Sequence, residues 1–127
     1  MPSDTKARVH QLTSATGHAV AALRFEGDIA STSKDAVLGS YQSLPKETVK
    51  LVLLDLSKVD YINSSGIALI IQMLIEASNS GQKVSTFGLS QHCTKVFTMV
   101  GIMKYSKIFP NEVDALAALS QDTESLV

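Results

Sequence analysis

Two adjacent hydroxyls, Ser64 and Ser65, stand between Asn63 and Gly66 at the head of a long apolar stretch that runs to Ala77. A hydroxyl at a helix N-terminus meets free backbone N–H groups and the positive end of the helix dipole. Those donors would tolerate a phosphate on Ser64, and the phosphate would add nearly two negative charges to an exposed point. The simpler chemistry of the same residues is capping, for which Asn63 or Ser64 is suited. Other reactive groups form no recognisable constellation. His10, His18 and His92 are scattered, and no Gly-x-Ser-x-Gly elbow surrounds either serine, so a serine hydrolase is not supported. No His/Cys pair has ligand spacing, and no GxxxxGK[ST] loop is present. Cys93 stands alone, so it forms neither an intrachain disulfide nor a CxxC motif. On an apolar helix it reads as a small buried side chain. The residues by themselves support no hydrolase, metal or nucleotide-hydrolysis site, and no cofactor is expected.

The composition agrees. The chain has 127 residues, 45% hydrophobic and 18% charged, with a net charge of −1. That length suits one domain, large enough to fold without disulfides or metals. The charge balance excludes a strongly basic nucleic-acid footprint and a polybasic membrane anchor. No apolar run approaches a membrane span, and the first residues lack the apolar core of a signal peptide. A cytoplasmic location is expected.

The elements that must position Ser64 follow from periodicity. Arg8–Thr13 and Ala19–Glu26 read as strands of a hairpin around Gly17, with Gly27-Asp28 breaking the second. Hydroxyls at Ser31, Thr32 and Ser33 precede Val37, Tyr41 and Leu44, which predicts a helix over 33–43 ended by Pro45. Val49 to Leu56 is a near-continuous apolar run, the pattern of a central strand buried on both faces. Ser57 to Ile62 reads as a connection. The helix from Asn63 stops at Asn79-Ser80-Gly81. A strand over 83–88, a helix from Ser90 to about Val100, a short strand at 107–109 and a helix from Pro110 through Leu119 complete the chain, with a polar, frayed tail from Ser120 to Val127. Strands alternating with helices predict an α/β fold. We expect a mixed four- to five-stranded sheet with about four helices mainly on one face, the rest of the other face being left to a loop or a partner.

On the helix after Asn63, Ile67, Ile70, Ile71 and Leu74 share a side, while Ser65, Gln72, Glu76 and Asn79 form a narrow polar stripe. Ala68 and Ile75 flank the stripe on one side, Leu69 and Met73 on the other. So wide an apolar arc fits a helix buried on both flanks. It fits equally a helix that exposes Leu69 and Met73 beside Ser65 as a docking surface.

The run from Val52 to Ile67, with Asp55-Leu56-Ser57, the aromatic Tyr61 and Asn63-Ser64-Ser65-Gly66, resembles the signature of the STAS domain and, more narrowly, bacterial anti-sigma factor antagonists. Gly27-Asp28-Ile29 is similar to the family's Gly-Glu-Leu. Ser90, Val96, Phe97, Val100-Gly101-Ile102 and Ile108-Phe109 resemble its later helix and last strand. The resemblance implies a single STAS-like domain with its core at about 6–119, acting as a phosphorylation-controlled partner switch and not as an enzyme. It implies that a serine kinase of the histidine-kinase-like ATPase type, which is also an anti-sigma factor, phosphorylates Ser64. It further implies that the unphosphorylated form binds this kinase and releases a sigma factor or another target, and that a metal-dependent serine phosphatase resets it. The implied partner surface comprises Asp28, Asn63, Ser64, Ser65, Gly66, Leu69 and Met73. Two positions depart from the family pattern: Asn63 replaces the usual Asp, keeping the cap but losing a charge, and Ala30 stands where Asp is frequent. STAS-like modules that bind a nucleotide, or serve as a subunit of a lipid- or anion-transport system, are the alternative.

Overall fold

The computed structural model describes residues 5–14 and 16–122. Five strands form one sheet in the order β1-β2-β3-β4-β5: β1 Lys6–Thr13, β2 Ala19–Ile29, β3 Leu51–Ile62, β4 Lys83–Phe87 and β5 Ser106–Phe109. The β1–β2 hairpin is antiparallel, and the other three pairings are parallel. The mixed sheet and the central place of the 49–56 run match expectation.

β3 is central because its side chains feed two cores. Val52, Leu54 and Leu56 join the larger core, and Leu51 and Leu53 join the smaller one on the opposite face. All five are at most 1% exposed. Each such burial contributes on the order of 1.5–3 kcal/mol, so this strand anchors both layers. Over the larger core pack α2 (Ser64–Asn79), α3 (Gln91–Met99) and an irregular helical segment from Ser31 to Gln42. That segment is a 3₁₀ turn at Ser31–Ser33, a π-helical turn at Asp35–Gly39 and one α turn, α1, at Ser40–Gln42. Over the smaller core lies α4 (Glu112–Asp122), through Ala115 and Leu119. The helices are thus mainly on one face, but α4 covers the other, where a loop or partner was expected.

Three boundaries differ most from the sequence reading. β2 does not break at Gly27-Asp28 but continues to Ile29. β3 does not stop at Leu56 but runs through Ile62, paired with β2. The pairing shifts between Arg24 and Glu26 and again between Gly27 and Asp28, with β3 carrying one extra residue at each shift. Bulges of this kind break the period of two, so Ser57–Ile62 does not look like a strand in sequence. Residues 120–122 belong to α4. The remainder of the expected tail, 123–127, lies outside the described residues.

Candidate functional site

The first bulge explains the Asp55-Leu56-Ser57 motif. Asp55 Oδ1 accepts from the Ser57 N–H at 2.9 Å and from the Ser57 hydroxyl at 2.6 Å, while Asp55 Oδ2 accepts from Arg24 at 2.8 Å. The carboxylate therefore satisfies a backbone donor that the bulge turns out of the ladder. Gly88, with φ +88°, packs on this turn, and a Cβ there would lie 2.4 Å from Ser57 N. Burial of Asp55 pushes its pKa up, but the Ser57 hydroxyl, the Ser57 N–H and Arg24 together hold it below the usual value. A carboxylate with a depressed folded pKa contributes stability that is present above its unfolded pKa. That contribution is lost as pH falls through the folded value. Asp55→Asn should therefore lower stability at neutral pH and flatten the acid limb of a stability-versus-pH curve. An unchanged acid limb would show that the carboxylate holds nothing.

Beyond the bulge, β3 and β2 run on as a pair and deliver the chain to α2. Asp28 pairs with Tyr61 and Ile29 with Ile62, and Asn63 N–H donates to the Ile29 carbonyl at 3.2 Å. Asn63 is the N-cap, its side chain accepting from Gly66 N–H at 2.9 Å. Ser64 is the first residue of α2. Both Ser64 and Ser65 are exposed, and the Ser64 hydroxyl makes no hydrogen bond among the described residues. The capping duty thus falls to Asn63, which leaves the Ser64 oxygen available for chemistry. Gly66 sits against the end of β2, where a Cβ would lie 2.2 Å from the Ile29 carbonyl oxygen. This close approach fixes where α2 begins, and so where Ser64 stands.

A groove of about 210 Å³ opens beside Ser64 between the starts of α2 and α3, lined among others by Tyr61, Ile67, His92, Cys93 and Val96. Tyr61 is 60% exposed at its rim. Tyr61 belongs to the motif that precedes Ser64, whereas His92 and Cys93 on the α3 side of the groove are marked by no local motif, and only the fold brings them to Ser64. His92 lines the groove without a hydrogen bond to Ser64 among the described residues, so the two are not arranged as nucleophile and base. Among the described residues no His/Cys/Asp/Glu group could hold a metal ion. No helix there is long and apolar enough to cross a membrane.

Of the expected surface, Asp28, Asn63, Ser64, Ser65 and Gly66 come together at one end of the sheet. The α2 flank does not follow. Met73 is 1% exposed and Leu69 is half-buried against the core. The helical segment 31–42 packs along α2, and Tyr41, fully buried, stands close to Ser80 and Glu76 on the Met73 side. The exposed flank is the opposite one, with Ala68 and Ile75 beside Gln72. The expectation that Leu69 and Met73 form an exposed docking edge is corrected accordingly.

A STAS-domain family model matches residues 11–115. The chain belongs to the STAS-domain family. Its fold is shared with a crystal structure of an anti-sigma factor antagonist from Mycobacterium paratuberculosis, at 16% identity and TM-score 0.75, covering 91% of this chain and 94% of that one. It is also shared with the Bacillus cell-fate determinant SpoIIAA in its phosphorylated form, at 14% identity and TM-score 0.66, covering 89% and 98%. A sulfate transporter family protein from Wolinella succinogenes is similar at 19% identity and TM-score 0.72, covering 83% and 88%. The STAS fold of this chain is therefore common to antagonists and to transporter domains.

Proposed function

We propose that this STAS-domain protein is a cytoplasmic partner-switching regulator with Ser64 as its phosphate acceptor. The observation that carries the reading is the Ser64 hydroxyl: exposed, unbonded and held by Asn63 and Gly66 at the first position of a 16-residue helix. Its unphosphorylated form docks a serine kinase of the histidine-kinase-like ATPase type through Asp28, the Asn63–Gly66 turn and the neighbouring groove with Tyr61. Docking frees the sigma factor or other target that the kinase otherwise holds. A phosphate on Ser64 sits among helix N-terminal donors, which stabilise it locally. It also places nearly two negative charges in the middle of the contact. The kinase must bring ATP phosphates and a catalytic carboxylate to the same point, so like charges meet and the complex separates. A metal-dependent serine phosphatase restores the binding form. SpoIIAA, which shares the fold, is described in phosphorylated and unphosphorylated forms, which supports a phosphorylation switch here.

Incubation with the kinase and ATP, followed by intact-mass measurement and peptide mapping, should place one phosphate on Ser64. Ser64→Ala should abolish it while costing at most about 1 kcal/mol of stability, since Asn63 and not Ser64 caps the helix. A phosphate on Ser65 alone, or on neither serine, would overturn the assignment.

A further inference from the structure

At the other end of the parallel strands a second cleft, of about 460 Å³, opens where β4 and β5 begin. Lys83, Ser85, Lys104, Tyr105, Lys107 and Phe109 line it, and α4 contributes Ala118 to its wall. Lys83 and Ser85 are two residues apart on β4, so their side chains share one face. Ser85 pairs across the sheet with Lys107. Three of the nine lysines of a chain with net charge −1 therefore converge on one concavity. No carboxylate is among the described lining residues, and none of the three lysines makes an ion pair among the described residues. Ser85 adds a hydroxyl to the lysines. The residue is 2% exposed, but its hydroxyl oxygen is not among the fully buried atoms that lack a partner; it lines the cleft and makes no hydrogen bond among the described residues, so it is free to donate to a ligand there.

We propose that this cleft binds a small phosphate-bearing anion, a phosphate monoester or a pyrophosphate. Lys83, Lys104 and Lys107 surround the phosphate, and the Ser85 hydroxyl donates to it. Unpaired ammonium groups act as point charges, for which a compact multiply charged phosphate is the matching ligand. The volume is that of a small-molecule pocket, and Tyr105 and Phe109 offer surface to an organic body attached to the phosphate. The site is separate from Ser64, which follows the opposite end of β3, so it stands or falls independently of the switch.

Pyrophosphate titrated into isotope-labelled protein, followed by backbone amide shifts, tests it. Saturable shifts are expected at Ser85 and over 104–107, and none at 64–67. Lys83→Gln combined with Lys107→Gln should weaken binding roughly tenfold, and Ser85→Ala roughly threefold, with added salt weakening all. Shifts centred on Ser64, shifts scattered over the surface, no saturable change, or unchanged affinity in the double variant would each overturn the proposal.

Discussion

Met73→Glu should unfold the protein, and should not act as a selective binding mutation. Met73 is 1% exposed and belongs to the same core as Val37, Leu38 and Tyr41. A carboxylate there either ionises without a partner or takes up a proton at high cost. The loss should be about 4 kcal/mol or more, a large share of the ~6–19 kcal/mol expected for a chain of this size. Ile75→Glu, at a residue 38% exposed on the opposite flank, should fold normally and lose less than about 1 kcal/mol. Urea denaturation followed by circular dichroism separates the two. A Met73→Glu protein with a cooperative transition near that of the wild type would mean that this flank of α2 opens to solvent after all.

Gly66→Ala should cost about 3 kcal/mol, although alanine is the better helix former by about 1 kcal/mol. Its Cβ would lie 2.2 Å from the Ile29 carbonyl oxygen, 2.7 Å from the Ile29 carbonyl carbon and 2.9 Å from an Ile62 methyl. Two of these are backbone atoms that no rotamer change can remove. The same Ile29 oxygen accepts from Asn63 N–H, so relief requires α2 to back away from β2 and carry Ser64 with it. Phosphorylation of Ser64 should slow in any protein that still folds. Gly39→Ala makes the opposite case: a Cβ there meets nothing within 4 Å, and its backbone is helical at φ −64° and ψ −44°. That change should stabilise by up to ~1 kcal/mol. Thermal melts of both variants check the pair, and equal shifts in one direction would show that contact at Gly66 is not what sets the start of α2.

What was legible in the sequence is what local chemistry repeats. The run Leu51–Leu56 announces a two-sided strand because every residue but Asp55 is apolar. Asn63, Ser90, Gly81 and Gly101 mark helix ends because capping and positive φ need those residue types. Ser57–Ile62 was not legible, because bulges in β3 scramble its alternation. The side of α2 that faces solvent was not legible either. Ala68, Ile75, Leu69 and Met73 are all apolar, and their exposure is decided by where residues 31–42 pack. That segment is itself irregular, a π-helical turn through Gly39 between a 3₁₀ and an α turn, so its path could not be read from a helical period. The groove beside Ser64 joins β3, α2 and α3, residues some thirty positions apart, and only the parallel crossover through β4 brings them together.

The central claim is that a phosphate on Ser64 separates this protein from its kinase. Calorimetric titration of the partner kinase with unphosphorylated protein, Ser64-phosphorylated protein and Ser64→Asp tests it most directly. The unphosphorylated form should bind tightest. The phosphorylated form should bind at least roughly a hundredfold more weakly, the consequence of like charges meeting in a partly desolvated contact. Ser64→Asp should fall between them, because it supplies one charge on a shorter, flatter group. Equal affinities for all three would contradict the switch and favour the nucleotide-binding or transport-subunit reading of the same fold.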